Sequence, residues 1–510
     1  MSFGRAESKR TTGGLIGVAL VTLIIGHAAA ACESLAGKKF GATAIVSADV
    51  VRPGGFKLPG NSPGAAATNS TLSLLSPFCR VQAVAKPTTD SAIGLEIWLP
   101  ESGWNGKLLA VGNGAWAGSI SYGALADAVA AGYAAASTDT GHVGNTVDFA
   151  IGHPEKLVDF AHRAVHEMAL AAKAVVESNY SRRADRAYFS GCSTGGRQAL
   201  AEAQRYPRDF DGIVAGAPAY SPTHIQGTQV WAAAVNANQA GEPLRQREFD
   251  LVNKAVIAAC DTQDGVADGV IENPRACPFD PASLVCGTGS KSACLSPAQA
   301  DTVRLTYRGP VDNAGKSIFP GLSRGSERSW QTLSGDKPLS LAFDTYAQLV
   351  FGDPDWNFRF FDAARDIPLG VERIGRLMDS ADPNLDAFIE HGGKLLLYHG
   401  WADPGIPAEG TVRYYDAVRR ALGADATEKN VRLFMVPGMG HCRGGTGTDT
   451  FDTVAALDRW VRAGATPERI EASRVENGAV VRTRPLCAYP TRAVYSGSGS
   501  TDDSKNFVCE

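Results

Sequence analysis

The chain has 510 residues, 44% of them hydrophobic and 20% charged, with a formal net charge of −4. That composition is globular, and the length allows a large core with a second unit inserted in it. So small a net charge provides neither a nucleic-acid footprint nor a polybasic membrane patch, so no nucleic-acid partner is expected.

At the N-terminus Arg5, Lys9 and Arg10 precede an apolar run over 15–25 and a small-residue stretch over 28–31. Charged, apolar and small regions in that order predict a signal peptide over 1–31. The apolar run is short for a membrane span, so the expected product is secreted or periplasmic and leaves the membrane after cleavage. Ten cysteines follow: Cys32, Cys79, Cys192, Cys260, Cys277, Cys286, Cys294, Cys442, Cys487 and Cys509. An even count in an exported chain predicts disulfides. Local pairs such as Cys260–Cys277, Cys286–Cys294 and Cys487–Cys509 would close short loops at low entropic cost, but spacing alone leaves the connectivity open.

From residue 94 the chain alternates two kinds of pattern. Residues 95–99 alternate in period two and predict a half-buried strand. Residues 107–111 predict a second strand ending at Gly112-Asn113-Gly114, and 134–137 a third, before the loop Thr138-Asp139-Thr140-Gly141-His142. Leu157, Phe160, Ala161, Ala164, Met168, Ala171 and Val175 recur at helical spacing, which predicts an amphipathic helix over 157–177. A short strand at 187–189 and a helix at 194–205 continue the rhythm, which indicates an α/β chain with a parallel sheet covered on both faces. From 226 to 383 the text turns loop-rich, with four cysteines and aromatic clusters, and reads as an inserted lid domain. Strand-like runs resume at 394–398 and 431–436, so the catalytic domain is expected over 32–225 and 384–510.

Gly191-Cys192-Ser193-Thr194-Gly195 fits the pattern G-x-S-x-G between a strand and a helix. That is the context of a nucleophile elbow, in which a strained turn lifts a serine hydroxyl clear of the sheet. A free hydroxyl is a poor nucleophile and needs a base. In the α/β-hydrolase fold the chain order is serine, acid, histidine, with the last two on loops after late strands. Asp403 follows the strand at 394–398 and His441 the strand at 431–436, so Ser193, Asp403 and His441 are the expected triad. His399 is the rival base, nearer its strand, and Asp139 the rival acid, out of order before the serine.

Cys192 precedes the serine and Cys442 follows the histidine, so bringing Ser193 and His441 together brings the two thiols together as well. A disulfide there would clamp the two loops. The oxyanion donors are expected at the N–H of Thr194 and of Ala115 in Gly112-Asn113-Gly114-Ala115-Trp116. Asp261, Asp264 and Asp268 crowd three carboxylates into eight residues. The residues alone read as a solvated acidic loop, with Ca²⁺ as the alternative.

Gly-Cys-Ser-Thr-Gly-Gly at 191–196, the Asp403 loop and His441-Cys442 together resemble the tannase and feruloyl esterase family, which also includes mono(2-hydroxyethyl) terephthalate hydrolase. The similarity includes Phe210-Asp211-Gly212-Ile213-Val214-Ala215-Gly216-Ala217-Pro218 and runs over nearly the whole mature chain. The resemblance implies the catalytic disulfide Cys192–Cys442, besides Cys32–Cys79 and the three short-range pairs. It also implies a structural Ca²⁺ in the lid, held by the side chains of Asp261, Asp264 and Asp268 and the carbonyls of Val266 and Val270, with no organic cofactor. Ala115 stands where many relatives have glycine, and Thr194 where the terephthalate hydrolase has glutamate. The implied activity is serine carboxylesterase on a small aromatic ester, feruloyl or galloyl in type. The alternatives are terephthalate-type or other aromatic esters, or a non-catalytic binding protein on the same fold.

Overall fold

The computed structural model describes residues 31–59, 72–287, 293–332 and 337–510. All but the last residue of the expected signal peptide over 1–31 lies outside the described residues. Ten strands form one sheet: β1 (Lys39–Phe40), β2 (Thr43–Val51), β3 (Phe78–Ala85), β4 (Ile93–Pro100), β5 (Lys107–Val111), β6 (Ala134–Thr138), β7 (Arg186–Cys192), β8 (Gly212–Gly216), β9 (Lys394–Gly400) and β10 (Val431–Val436). Their spatial order is β1-β2-β3-β4-β6-β5-β7-β8-β9-β10. β1 to β4 pair antiparallel, β4 pairs antiparallel with β6, and from β6 to β10 every pairing is parallel. Strands β6 and β8 in the interior of the sheet and β10 at its edge are buried at every residue, as strands covered on both faces must be.

Among the described residues the helices of nine residues or more are α1 (Tyr122–Ala130), α2 (Ala164–Tyr180), α3 (Thr194–Arg205), α4 (Pro222–Asn238), α5 (Gln246–Cys260), α6 (Pro297–Arg308), α7 (Ala408–Leu422) and α8 (Thr453–Ala463). Apolar faces of α2, α3 and α7 pack on one side of the sheet, through Val175, Leu200 and Val412. α1 and α8 cover the other side, through Leu125, Leu457 and Trp460. This is the expected α/β-hydrolase architecture. The order reverses around β5, whose neighbours are β6 and β7, and the crevice beyond the carboxyl ends of strands at such a point is where ligands bind.

Several expectations are refined. The helix expected over 157–177 is three pieces: Pro154–Val158, a π turn over Asp159–Arg163, and α2. The wider turn changes the helical phase, which a single periodicity cannot reveal. The segment read as loop-rich holds α5, α6 and all but the first turn of α4. α4 was hidden because it is buried nearly all round and carries no apolar stripe. This segment makes one core of its own around Phe249, Val252 and Trp330. A second core packs Tyr346, Ile367 and Met378 against Trp116 and Phe160 from beside the sheet.

The ten cysteines pair as Cys32–Cys79, Cys192–Cys442, Cys260–Cys277, Cys286–Cys294 and Cys487–Cys509. Among the described residues no helix is long and apolar enough to cross a membrane.

The expected Ca²⁺ site at Asp261, Asp264, Val266, Asp268 and Val270 is corrected. Among the described residues no group of three or more His, Cys, Asp or Glu is placed to hold a metal ion. The carboxylates are engaged otherwise. Asp261 Oδ1 accepts from the N–H groups of Asp268, Gly269 and Val270 at 3.2, 2.9 and 3.2 Å. Asp264 Oδ1 accepts from Val266 N–H at 2.9 Å. Two C-terminal strands, β11 (Arg469–Glu476) and β12 (Ala479–Cys487), form a hairpin. From β12, Arg484 and Arg482 reach the Asp268 carboxylate at 2.6 and 3.3 Å. The like-charge crowding is thus relieved by arginines more than 200 residues further along the chain, a pairing that local sequence cannot disclose.

Arg484→Met should therefore destabilise the protein in urea unfolding, because it strips the shorter of two ion pairs from a buried carboxylate. The loss should fall below the ~3–5 kcal/mol of a fully broken buried pair, since Arg482 remains.

Candidate active site

Ser193 directly follows β7 and caps α3 with φ 64° and ψ −121°, outside the regions that L-residues ordinarily occupy. Such a conformation costs about 1–3 kcal/mol and persists only when its surroundings enforce it. Here Ser193 N–H donates to Gly216 O at 3.0 Å, while Ser193 O accepts from Arg197 and Ala219 N–H, each at 3.0 Å. The glycines beside it are steric requirements. A Cβ on Gly191 would lie 2.6 Å from the Gly195 carbonyl, and one on Gly196 would strike Gly216 O. The serine hydroxyl is consequently lifted to the N-terminus of α3, where the first N–H groups lack intrahelical acceptors.

The loop after β5 lies against this elbow. Thr194 Oγ1 donates to Ala115 O at 3.0 Å, and Ala115 itself has a positive φ of 47°. Asn113 N–H donates to Gln198 Oε1 at 3.0 Å, Gln198 Nε2 returns a bond to Asn113 Oδ1 at 3.2 Å, and Asn113 Nδ2 donates to Thr138 O at 2.8 Å. Gln198, one turn into α3, therefore fixes the loop that carries Ala115. It was missed in the sequence, although a glutamine in an otherwise small and apolar helix face was the available signal.

Asp403 sits in the loop after β9, fully buried. Its Oδ1 accepts from Gly405 and Ile406 N–H at 2.7 and 2.9 Å. Its Oδ2 lies 2.7 Å from His441 Nδ1 and 3.0 Å from His399 Nε2. Burial alone would raise the Asp403 carboxyl, but the charge of His441 and hydrogen bonds from His399 and His441 outweigh it and hold the group well below the usual carboxylate range. For His441 burial works downward, and the Asp403 charge and hydrogen bond prevail, raising the imidazole above its ordinary 6.5. With Nδ1–H committed to Asp403, His441 Nε2 is left as the basic nitrogen.

Ser193, Thr194, Ala115 and His441 line one cavity of about 260 Å³. Trp116, Phe160, Leu339, Leu341 and Met378 give it apolar walls, and Gln226 and Gln229 of α4 add polar groups. Gln229 Nε2 donates to Gly405 O at 2.7 Å. The Oε1 atoms of both glutamines and Nε1 of Trp116 have no hydrogen-bond partner among the described residues. The rivals are placed elsewhere. His399 is fully buried behind Asp403 and does not line the cavity. Asp139 accepts from Gly94 and Gly141 N–H, each at 2.8 Å, and burial pushes its carboxyl up to about 6.

The Cys192–Cys442 disulfide joins the elbow to the His441 loop across 250 residues of chain. Cys442 has φ 64°, as does Ser193 next to Cys192, so the backbone at or beside this link is in an unfavourable conformation on both loops. The His441 loop is buttressed on its far side by Arg474 of β11, whose Nη1 donates to Gly445 O at 2.9 Å. A buried carboxylate bonded to an imidazole that lines the same cavity as a half-buried serine at a helix N-terminus is an arrangement that suits acyl transfer.

A model of the family described as tannase and feruloyl esterase matches residues 79–510. An esterase of Xanthomonas campestris is 36% identical, with the match covering 97% of this chain and 93% of its own length. A probable feruloyl esterase B-1 of Aspergillus flavus is 31% identical over 90% of this chain and 91% of its own. The crystal structure of feruloyl esterase B from Aspergillus oryzae has a TM-score of 0.87 at 28% identity, covering 95% of this chain and 100% of that one.

In the chain-entropy account, a link spanning 250 residues stabilises by roughly 5 kcal/mol. Replacing Cys192 and Cys442 together by serine should cost most of that in urea unfolding. A loss no larger than that of removing Cys286–Cys294, which spans 8 residues, would count against the clamp.

Proposed function

The chain belongs to the tannase and feruloyl esterase family, and from that membership we propose that it is a secreted serine carboxylesterase acting on esters of phenolic aromatic acids. The observation that carries this reading is the His441–Asp403 hydrogen bond of 2.7 Å at the edge of the cavity that Ser193 lines. In the proposed reaction His441 Nε2 takes the Ser193 proton as Oγ attacks the ester carbonyl, while Asp403 stabilises the imidazolium. The N–H groups of Thr194 and Ala115 receive the negative charge that develops on the carbonyl oxygen. The tetrahedral adduct collapses, the alcohol leaves with the proton from His441, and water releases the acid by the same route reversed. Ser193, Asp403 and His441 are the catalytic residues in this scheme.

The cavity supports the substrate class. Its apolar walls suit the face of an aromatic ring, and the unpartnered oxygens of Gln226 and Gln229 suit ring hydroxyl donors. Leu339, Leu341 and Met378 come from the segment over 226–383, which supports its reading as a lid upon a catalytic domain over 32–225 and 384–510. Five disulfides suit an oxidising compartment, in keeping with export directed by residues 1–31.

Ser193→Ala should lower kcat/KM for methyl ferulate or methyl gallate by about 10⁴–10⁶-fold with an unchanged circular dichroism spectrum. Retained turnover would remove the serine mechanism, and preference for a terephthalate half-ester in the same assay would redirect the substrate class. The acid limb of kcat/KM reports the base of the free enzyme. Protonated His441 cannot accept the serine proton, and its pKa is raised. Activity should therefore fall on acidification with a midpoint above 6.5.

A further inference from the structure

His399 is the penultimate residue of β9, four residues before Asp403, and both nitrogens of its ring are engaged. Nε2 lies 3.0 Å from Asp403 Oδ2 and 3.1 Å from Ile406 O. Both neighbours are acceptors, so the ring carries its proton on Nε2. Nδ1 lies 2.7 Å from Thr411 Oγ1 on α7, whose hydroxyl then donates to it. The ring is thereby fixed at both ends, and its complete burial keeps it away from any substrate. Asp403 Oδ1 is meanwhile occupied by the Gly405 and Ile406 N–H groups. Oδ2 is left to be shared by two histidines.

We propose that His399 is a positioning residue for the acid: its Nε2–H holds Asp403 Oδ2 in the plane and direction that this oxygen needs to face His441 Nδ1. The proposal rests on the assignment of Ser193 and His441 as nucleophile and base. It gives His399 two effects. It orients the carboxylate, and it draws off part of the negative charge that stabilises protonated His441. Without that donor the charge on Oδ2 is less shared, and imidazolium at His441 is favoured more strongly. The titratable groups facing Asp403 are His441, from the loop after β10, and His399 itself. α7 contributes the Thr411 hydroxyl, and residues 405 and 406 contribute backbone groups.

The test measures kcat, KM and the pH dependence of p-nitrophenyl acetate hydrolysis in the wild type, His399→Leu and His399→Gln. The leucine variant should lose about 10–100-fold in kcat with KM changed by no more than about twofold, and its acid limb should move to higher pH. The glutamine variant, whose amide N–H can stand where Nε2–H stood, should recover most of kcat and return the limb. Should the leucine variant not accumulate as folded protein, His399→Met, equally without a donor, serves in its place. Wild-type kcat with an unmoved limb in the donorless variant overturns the proposal. Equal losses in the glutamine and leucine variants with unmoved limbs also overturn it, because they indicate packing alone. NMR titration of the His441 imidazole, which needs no turnover, should show the same upward shift in His399→Leu. Turnover that survives Ser193→Ala while that shift is present refutes the nucleophile assignment and leaves the positioning role supported; absence of the shift refutes the positioning role.

Discussion

The organising constraint is that two loops 250 residues apart must meet, and the Cys192–Cys442 bond is where they do. One loop holds Ser193 in a backbone conformation that costs energy; the other holds His441 beside Cys442, whose φ is also positive. Backbone bonds hold each loop locally, Ser193 N–H to Gly216 O in one and Gly440 N–H to Gly444 O in the other, each at 3.0 Å. A covalent link between them allows each to serve as a wall for the other, and the parallel sheet supplies the floor. β7 delivers the serine, β9 the aspartate and β10 the histidine, all from the same ends of parallel strands, with β8 between the first two.

Around that junction the polar groups form a chain of dependence. Asp403 takes hydrogen bonds from two backbone N–H groups and two histidines, which is how a buried carboxylate avoids the cost of desolvation. The Gly405 carbonyl is in turn held by Gln229 from α4, so that helix touches the acid loop directly. The β11–β12 hairpin reaches the same region from the other side. Arg474 holds the histidine loop through Gly445 O, and Arg482 and Arg484 neutralise Asp268.

Much of this was legible in the sequence, for reasons that differ by element. β5, β10 and α3 have the expected bounds, because a continuous apolar run or a glycine-rich turn marks each end. The elbow was legible because sterics at Gly191 and Gly196 tolerate no alternative residue. β2 and β3 went unread, since they are a separate antiparallel addition before the alternating α/β pattern begins. β8 is only five residues with a glycine at each end, too short for its periodicity to show. The Ca²⁺ expected at the acidic loop came from the family resemblance, and the charge relief found there instead, by Arg482 and Arg484, is a long-range pairing that the local residues do not display. His399 was noticed as the rival base and set aside for His441, and its bond to Asp403 went unread because spacing along a chain does not say which side of a carboxylate a ring occupies.

The disulfide pattern also dictates an order of events during synthesis. Four of the five bridges join cysteines that are consecutive in the chain once Cys192 and Cys442 are set aside. A chain oxidised strictly as it emerges would join Cys192 to Cys260 and leave every later bridge but the last out of step. The Cys192 thiol must instead wait, or be reshuffled, until nearly the whole polypeptide has been made. The partial chain is therefore born without the His441 loop tied to the Ser193 elbow, and the cavity both residues line is closed up only in a single late step of maturation.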